Sequence, residues 1–61
     1  MPIVRVGMWT GRTKQQKADL ARAITDAMVN IANTSPEHTI IIFEDIQRED
    51  WAENGRLSDE E

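Results

Sequence analysis

Apolar positions alternate at the start of the chain. Val4, Val6 and Met8 fall on one side of an extended segment, and Ile3, Arg5, Gly7 and Trp9 fall on the other. A period of two predicts a strand over Ile3 to Trp9, ended by Thr10-Gly11. The period then changes. Leu20, Ile24, Ala27, Met28 and Ile31 recur at helical spacing, with Lys17, Asp19, Arg22, Asp26 and Asn30 largely opposite them. Thr13 stands three residues before Gln16, the spacing of a capping box. A helix is therefore predicted from Lys14 to about Asn33, about 30 Å long at 1.5 Å per residue. Ala18, Ala21, Ala23 and Ala32 favour that helix and allow close packing. Asn33-Thr34-Ser35-Pro36 closes it, because the residue before a proline avoids the α region. Thr39 to Phe43 reads as a second strand, apolar on consecutive positions and so covered on both faces. The tail from Ile46 is polar and acidic. Within it Asn54-Gly55, between Trp51-Ala52 and Arg56-Leu57, predicts a small hairpin with a type I′ turn. Ser58 to Glu61 is expected to fray.

A connection containing a long helix suits a parallel strand pair, and such units are right-handed almost always. The expected fold class is thus α/β: one domain over 1–61, a single β-α-β unit with a short C-terminal hairpin. One helix cannot cover both faces of a two-stranded sheet, so the other face is expected to meet another subunit. Size leads to the same expectation. A chain of 61 residues buries only about 60% of its unfolded surface. With no cysteine and one histidine, His38, it has neither disulfide nor metal to hold it. Oligomerisation is what remains.

Charge narrows the partners. Seven basic against eleven acidic residues leave a net charge of −4, which argues against nucleic acid. A dimeric DNA-binding β-ribbon would need a basic first strand, and residues 3–9 hold only Arg5. No apolar run approaches the roughly 20 residues of a membrane span. No basic segment followed by an apolar one opens the chain, so no signal peptide is expected and the location is predicted to be cytoplasmic.

The candidate chemistry lies at the start, in Met1-Pro2. A small residue in second place permits removal of the initiator methionine. The chain would then begin with a secondary amine able to act as a base near neutral pH. An unperturbed α-amino group titrates at about 7.7–8.0, and burial or nearby cations lower that value. Taken alone, Pro2 reads as a tolerated strand-edge residue. Arg12 taken alone is a surface residue before a helix, and Trp51 a packing residue. Arg5 reads as a surface or inter-subunit charge, His38 as solvated, and Met28 as core filler. Glu44 and Asp45 are adjacent on a strand and point to opposite faces, so they do not form a carboxylate pair.

The ordered set does more than each part. Met1-Pro2-Ile3-Val4, Gly11-Arg12-Thr13, Gln16-Lys17, Pro36-Glu37, the Ile-rich strand and Trp51 appear in sequence across nearly the whole chain. In this the chain resembles the tautomerase superfamily, specifically the small 4-oxalocrotonate tautomerase (2-hydroxymuconate tautomerase) group. The resemblance implies protomers that pair their sheets and assemble as a trimer of dimers, a homohexamer. It implies a cofactor-independent keto–enol isomerase acting on an enol or dienol carboxylic acid. Pro2 would be the general base and acid, Arg12 the residue that binds the substrate carboxylate, and Trp51 the aromatic wall of the pocket.

Two departures bear on the substrate. The best-known members carry a second arginine early in the second strand, where this chain reads Thr39-Ile40-Ile41-Ile42. Arg48 and Arg56 are the candidates to replace it. The stretch after Trp51 is Ala52-Glu53-Asn54 before Gly55, where the family is glycine-rich. Without the second cation a monocarboxylate enol, such as a phenylpyruvate-like one, is expected over a dicarboxylate. The near alternative is a dehalogenase or hydratase of unsaturated carboxylic acids, with Glu53 as the group that activates water. The other is an assembling relative without catalysis.

Overall fold

A computed structural model describes residues 1–60. Strand β1 spans Ile3–Trp9, helix α1 Lys14–Ala32 and strand β2 Ile40–Ile46, with short 3-10 turns at Pro36–His38 and Arg48–Asp50. Strands β3 (Ala52–Glu53) and β4 (Arg56–Leu57) follow. β1 and β2 run parallel, from Ile3 opposite Ile40 to Trp9 opposite Ile46. The predicted βαβ unit and hairpin are both present.

Local chemistry accounts for the helix ends. Thr13 Oγ1 accepts the Gln16 N–H at 3.1 Å, and Gln16 Oε1 accepts the Thr13 N–H at 2.8 Å, a complete capping box. Asn33 closes the helix in the left-handed region at φ 58°, its N–H donating to the Met28 carbonyl. Beyond it Thr34 and Thr39 hydroxyls meet at 2.8 Å and tie the return to β2. In the β3–β4 turn Asn54 (φ 52°) and Gly55 (φ 78°) both have positive φ, as a type I′ turn requires.

The sheet has two unlike faces. In-register residues share a face, so Val4, Val6 and Met8 lie with Ile41, Phe43 and Asp45. This face carries the helix: Lys17 Nζ of α1 meets Asp45 Oδ2 at 2.6 Å. The other face carries Ile3, Arg5, Gly7, Trp9, Ile40, Ile42, Glu44 and Ile46. Arg5 pairs there with Glu44 at 3.6 Å, and Ile3 remains 53% exposed. Glu44 and Asp45 thus point to opposite faces, as alternation requires.

Two boundaries differ from the sequence reading. β2 continues to Ile46 rather than ending at Phe43, because Glu44, Asp45 and Ile46 keep register with Gly7, Met8 and Trp9 and their charges find partners. The tail is not frayed through Glu60. The Ser58 N–H donates to the Trp51 carbonyl at 2.8 Å, and Glu60 Oε2 accepts the Leu57 N–H at 2.9 Å. Glu61 lies outside the described residues.

Among the described residues none is fully buried. The radius of gyration is 14.6 Å and the extents are 44 × 24 × 15 Å. A compact chain of this length has a radius of about 10.5 Å. The chain is an elongated slab, and on the sheet face away from α1 the Ile3 and Ile40 side chains are exposed beside the Arg5–Glu44 pair.

Candidate active site

Pro2 sits at the open end of β1. Its carbonyl accepts the Ile40 N–H at 3.0 Å, which fixes the residue against the start of β2. It is half-buried, whereas Met1 before it is 83% exposed. The lack of an N–H costs nothing here, since Pro2 precedes the first ladder residue.

The arginines and tryptophans lie at the other end of the sheet. Thr10 N–H donates to the Ile46 carbonyl at 3.1 Å, extending the ladder by one bond. The two strands then release Thr10-Gly11-Arg12 and Gln47-Arg48 from the same edge. Gly11 has φ 118°, a conformation that favours glycine, and it turns the chain toward α1. Arg12 is exposed and, among the described residues, has no ion-pair partner.

The 3-10 turn at Arg48–Asp50 folds Arg48 back over the sheet end. Its guanidinium carbon lies 4.2 Å from the centre of the Trp9 ring. Trp51 meets Trp9 edge-on, with centroids 5.7 Å apart and planes at 71°. Trp51 Nε1 donates to Glu53 Oε1 at 3.0 Å. Trp9 Nε1 is buried and finds no acceptor. An open cavity of about 290 Å³ adjoins this cluster, lined by Trp9, Thr10, Gln47, Arg48, Glu49 and Asp59.

The protomer therefore separates the residues that the resemblance joins. Pro2 is seven residue steps from Trp9, about 23 Å at 3.3 Å per step. Arg48 and Trp51 gather around Trp9; Arg12 leaves the same end of the sheet; Arg56 lies on β4, which adjoins the Arg48–Asp50 turn, and is 3.8 Å from Glu60. Trp9 itself was read from sequence only as a strand residue. The available signal was its place as the last residue of β1, one of only two tryptophans in the chain. No group of three or more His, Asp or Glu side chains is placed to hold a metal among the described residues. No helix among them is long and apolar enough to cross a membrane.

A parallel β-α-β unit with a C-terminal strand pair is the protomer of the 4-oxalocrotonate tautomerase homologues. YwhB, a homologue of 4-oxalocrotonate tautomerase, superposes with a TM-score of 0.93 at 28% identity, over 98% of each chain. A heterohexameric 4-oxalocrotonate tautomerase from Chloroflexus aurantiacus does so at 0.89 and 28%, over 98% of this chain and 97% of its own. The chain belongs to the tautomerase family, whose pattern, described as tautomerase enzyme, it matches over residues 2–60. It is 46% identical over 61 residues to a probable tautomerase of Ralstonia nicotianae, covering 100% of this chain and 94% of that protein. It is 37% identical over 62 residues to the 2-hydroxymuconate tautomerase of Bacillus subtilis, covering 100% of both. The chain is accordingly an isomerase of the tautomerase class.

Proposed function

We propose that the protein interconverts the enol and keto forms of a small carboxylic acid, with Pro2 as the proton carrier once Met1 has been removed. One observation carries this reading: in a chain of the tautomerase family, Pro2 is pinned to the sheet through its carbonyl while the residue before it stands in solvent. Removing Met1 turns the proline nitrogen from a tertiary amide into a secondary amine without disturbing that anchor.

The step balances without a cofactor. The amine nitrogen takes the proton from the enol oxygen. The carbon–oxygen double bond forms, and the former carbon–carbon π pair takes a proton from the resulting ammonium. The base is regenerated, and no proton is gained or lost. Arg12 grips the substrate carboxylate, for which a guanidinium supplies two parallel donors. An apolar wall and a nearby cation both disfavour the ammonium form of the amine, favouring a base at neutral pH.

Pro2 and Arg12 stand at opposite ends of one sheet, so one protomer does not hold both against one small substrate. The reading therefore includes an assembly, with Pro2 of one protomer meeting the arginine end of another. The face with exposed Ile3 and Ile40 and half-buried Ile42 and Ile46 supplies apolar surface for pairing two sheets. A homohexamer, a trimer of such dimers, in the cytoplasm is the assembly we propose. The absence of a cation from Thr39 to Ile42 supports a substrate with one essential carboxylate at Arg12. The hydratase alternative is disfavoured by the position of Glu53, whose carboxylate is engaged by the Trp51 indole.

The test is an intact mass followed by enol ketonisation assays. The expected mass lacks one methionine residue. Pro2→Ala, folded and assembled as the parent, is expected to lose about 10²–10⁴-fold in kcat/KM, the range supplied by a general base. Equal activity in the two proteins overturns the base assignment and leaves an assembling relative without this catalysis.

A further inference from the structure

We propose that Arg5 and Glu44 form a recognition element between subunits: Arg5 of each chain pairs with Glu44 of a second copy, and the exchanged ion pairs fix the register of the two sheets. This rests on the assembled site of the reading above and names what aligns its two halves.

Arg5 and Glu44 are the only charged strand residues on the face turned away from α1. Exposed Ile3 and Ile40 flank them toward the Pro2 end, and Trp9 and Ile46 toward the other. Within one chain the pair is loosely made. Arg5 Nη1 and Glu44 Oε1 are 3.6 Å apart, beyond hydrogen-bond reach, and the side chains keep 63% and 49% exposure. The register partner of Glu44 is Gly7, which has no side chain to shield the carboxylate. In solvent such a pair contributes little. Under a second sheet it needs closer partners, because a charge taken from water is costly unless it is paired and hydrogen-bonded. A face that sets one cation beside one anion is complementary to itself, so the partner it fits is another copy of this chain.

The register supplies the geometry. Val6 is the midpoint of β1, with Phe43 opposite it. Arg5 lies one step before that level, and Glu44, opposite Gly7, lies one step after it. When a second sheet lies end-for-end on the first about this midpoint, the two levels exchange, and Arg5 falls level with the partner's Glu44. The same reversal brings Pro2, four steps before Val6, level with the partner's Thr10, two residues from its arginine. The alignment that satisfies the charges is therefore the one that joins Pro2 to an arginine end. The alternatives are penalised. A slip of two residues, about 7 Å at 3.3 Å per residue, keeps the same side chains on the face but sets arginine level with arginine or glutamate with glutamate. Parallel stacking sets both pairs of like charges level. Like charges placed opposite each other suppress such arrangements.

Charge reversal tests this by assembly, without turnover. Arg5→Glu leaves two acids on the face, and Glu44→Arg leaves two arginines. Each variant alone is expected to need about tenfold or more the parent's concentration to assemble in sedimentation. Mixed in equal amounts, they are expected to assemble near the parent's concentration, with both chains in each oligomer by native mass spectrometry. The double variant Arg5→Glu/Glu44→Arg is expected to assemble as the parent does. Single variants that assemble like the parent overturn the inference. So does a mixture that stays apart while the double variant assembles, because the pair then acts only within a chain. Where circular dichroism shows a reversal variant unfolded even in the mixture, Arg5→Gln and Glu44→Gln replace it; both are expected to weaken assembly, and unchanged assembly overturns the inference. A parent that stays monomeric at every concentration refutes the assembly reading itself, whereas an assembling parent with indifferent variants refutes this inference alone. No arm uses activity, so the role of Pro2 is decided separately.

Discussion

Arg12 and Trp51 illustrate how far a single side chain's role depends on what surrounds it. Arg12 carries no ion pair among the described residues, so its replacement should cost function and not stability. Arg12→Gln is expected to raise KM for an enol carboxylate by tenfold or more, with the thermal midpoint nearly unchanged. Steady-state kinetics and a melting curve check both halves, and a large drop in midpoint would reveal a structural role instead. Trp51 packs on Trp9 and binds Glu53, so it should differ. Trp51→Ala is expected to lower stability by about 3–5 kcal/mol if fully seated in the assembly, and proportionally less at its half-buried position in one protomer. Chemical denaturation measures that difference. The sequence marked Arg12 and Trp51 through their place in an ordered set. It did not mark Trp9, because a tryptophan at a strand end carries no local sign of what will fold over it.

At the scale of elements, short-range signals did most of the work. The capping box at Thr13 and Gln16, the left-handed Asn33 and the Asn54-Gly55 turn all lie within a few residues of what they control. Thr13→Ala removes a capping acceptor and should destabilise the protein by about 1 kcal/mol. Gly55→Val places a β-branched residue at φ 78°, where L side chains are strained. It is expected to loosen the hairpin and, through the Ser58–Trp51 bond, the Trp51 wall. Faster amide exchange at Leu57 and Ser58 would show it. The end of β2 was illegible for the opposite reason. Glu44-Asp45 looks like the polar start of a loop, and only the parallel register with Gly7 and Met8, with Arg5 and Lys17 opposite the two charges, makes it strand.

For the whole molecule, the open sheet face is the central fact. A slab with no fully buried residue among those described has little reason to be stable alone. Stability is therefore expected to depend on concentration, the thermal midpoint rising as the protein is concentrated. Ile42 lies on the face away from α1. Ile42→Asp should prevent sheet pairing, giving a smaller, less stable species in sedimentation and no tautomerase activity even with Pro2 and Arg12 intact. Full activity in a dispersed protomer would refute the composite site.

The sequence by itself determined the elements, their order, and the caps and turns, and it raised the expectation of a partner on the second face. These follow from periodicity and from contacts between near neighbours, which are written consecutively along the chain. It also marked Pro2, Arg12 and Trp51 by resemblance, and left Arg48 and Arg56 level. Only the tertiary structure decided the rest: the strand register that carries β2 to Ile46, the stack that sets Arg48 rather than Arg56 beside Trp9, and the length of sheet between Pro2 and Arg12. Each depends on groups distant in sequence meeting across the fold, and their spacing along the chain does not encode that meeting.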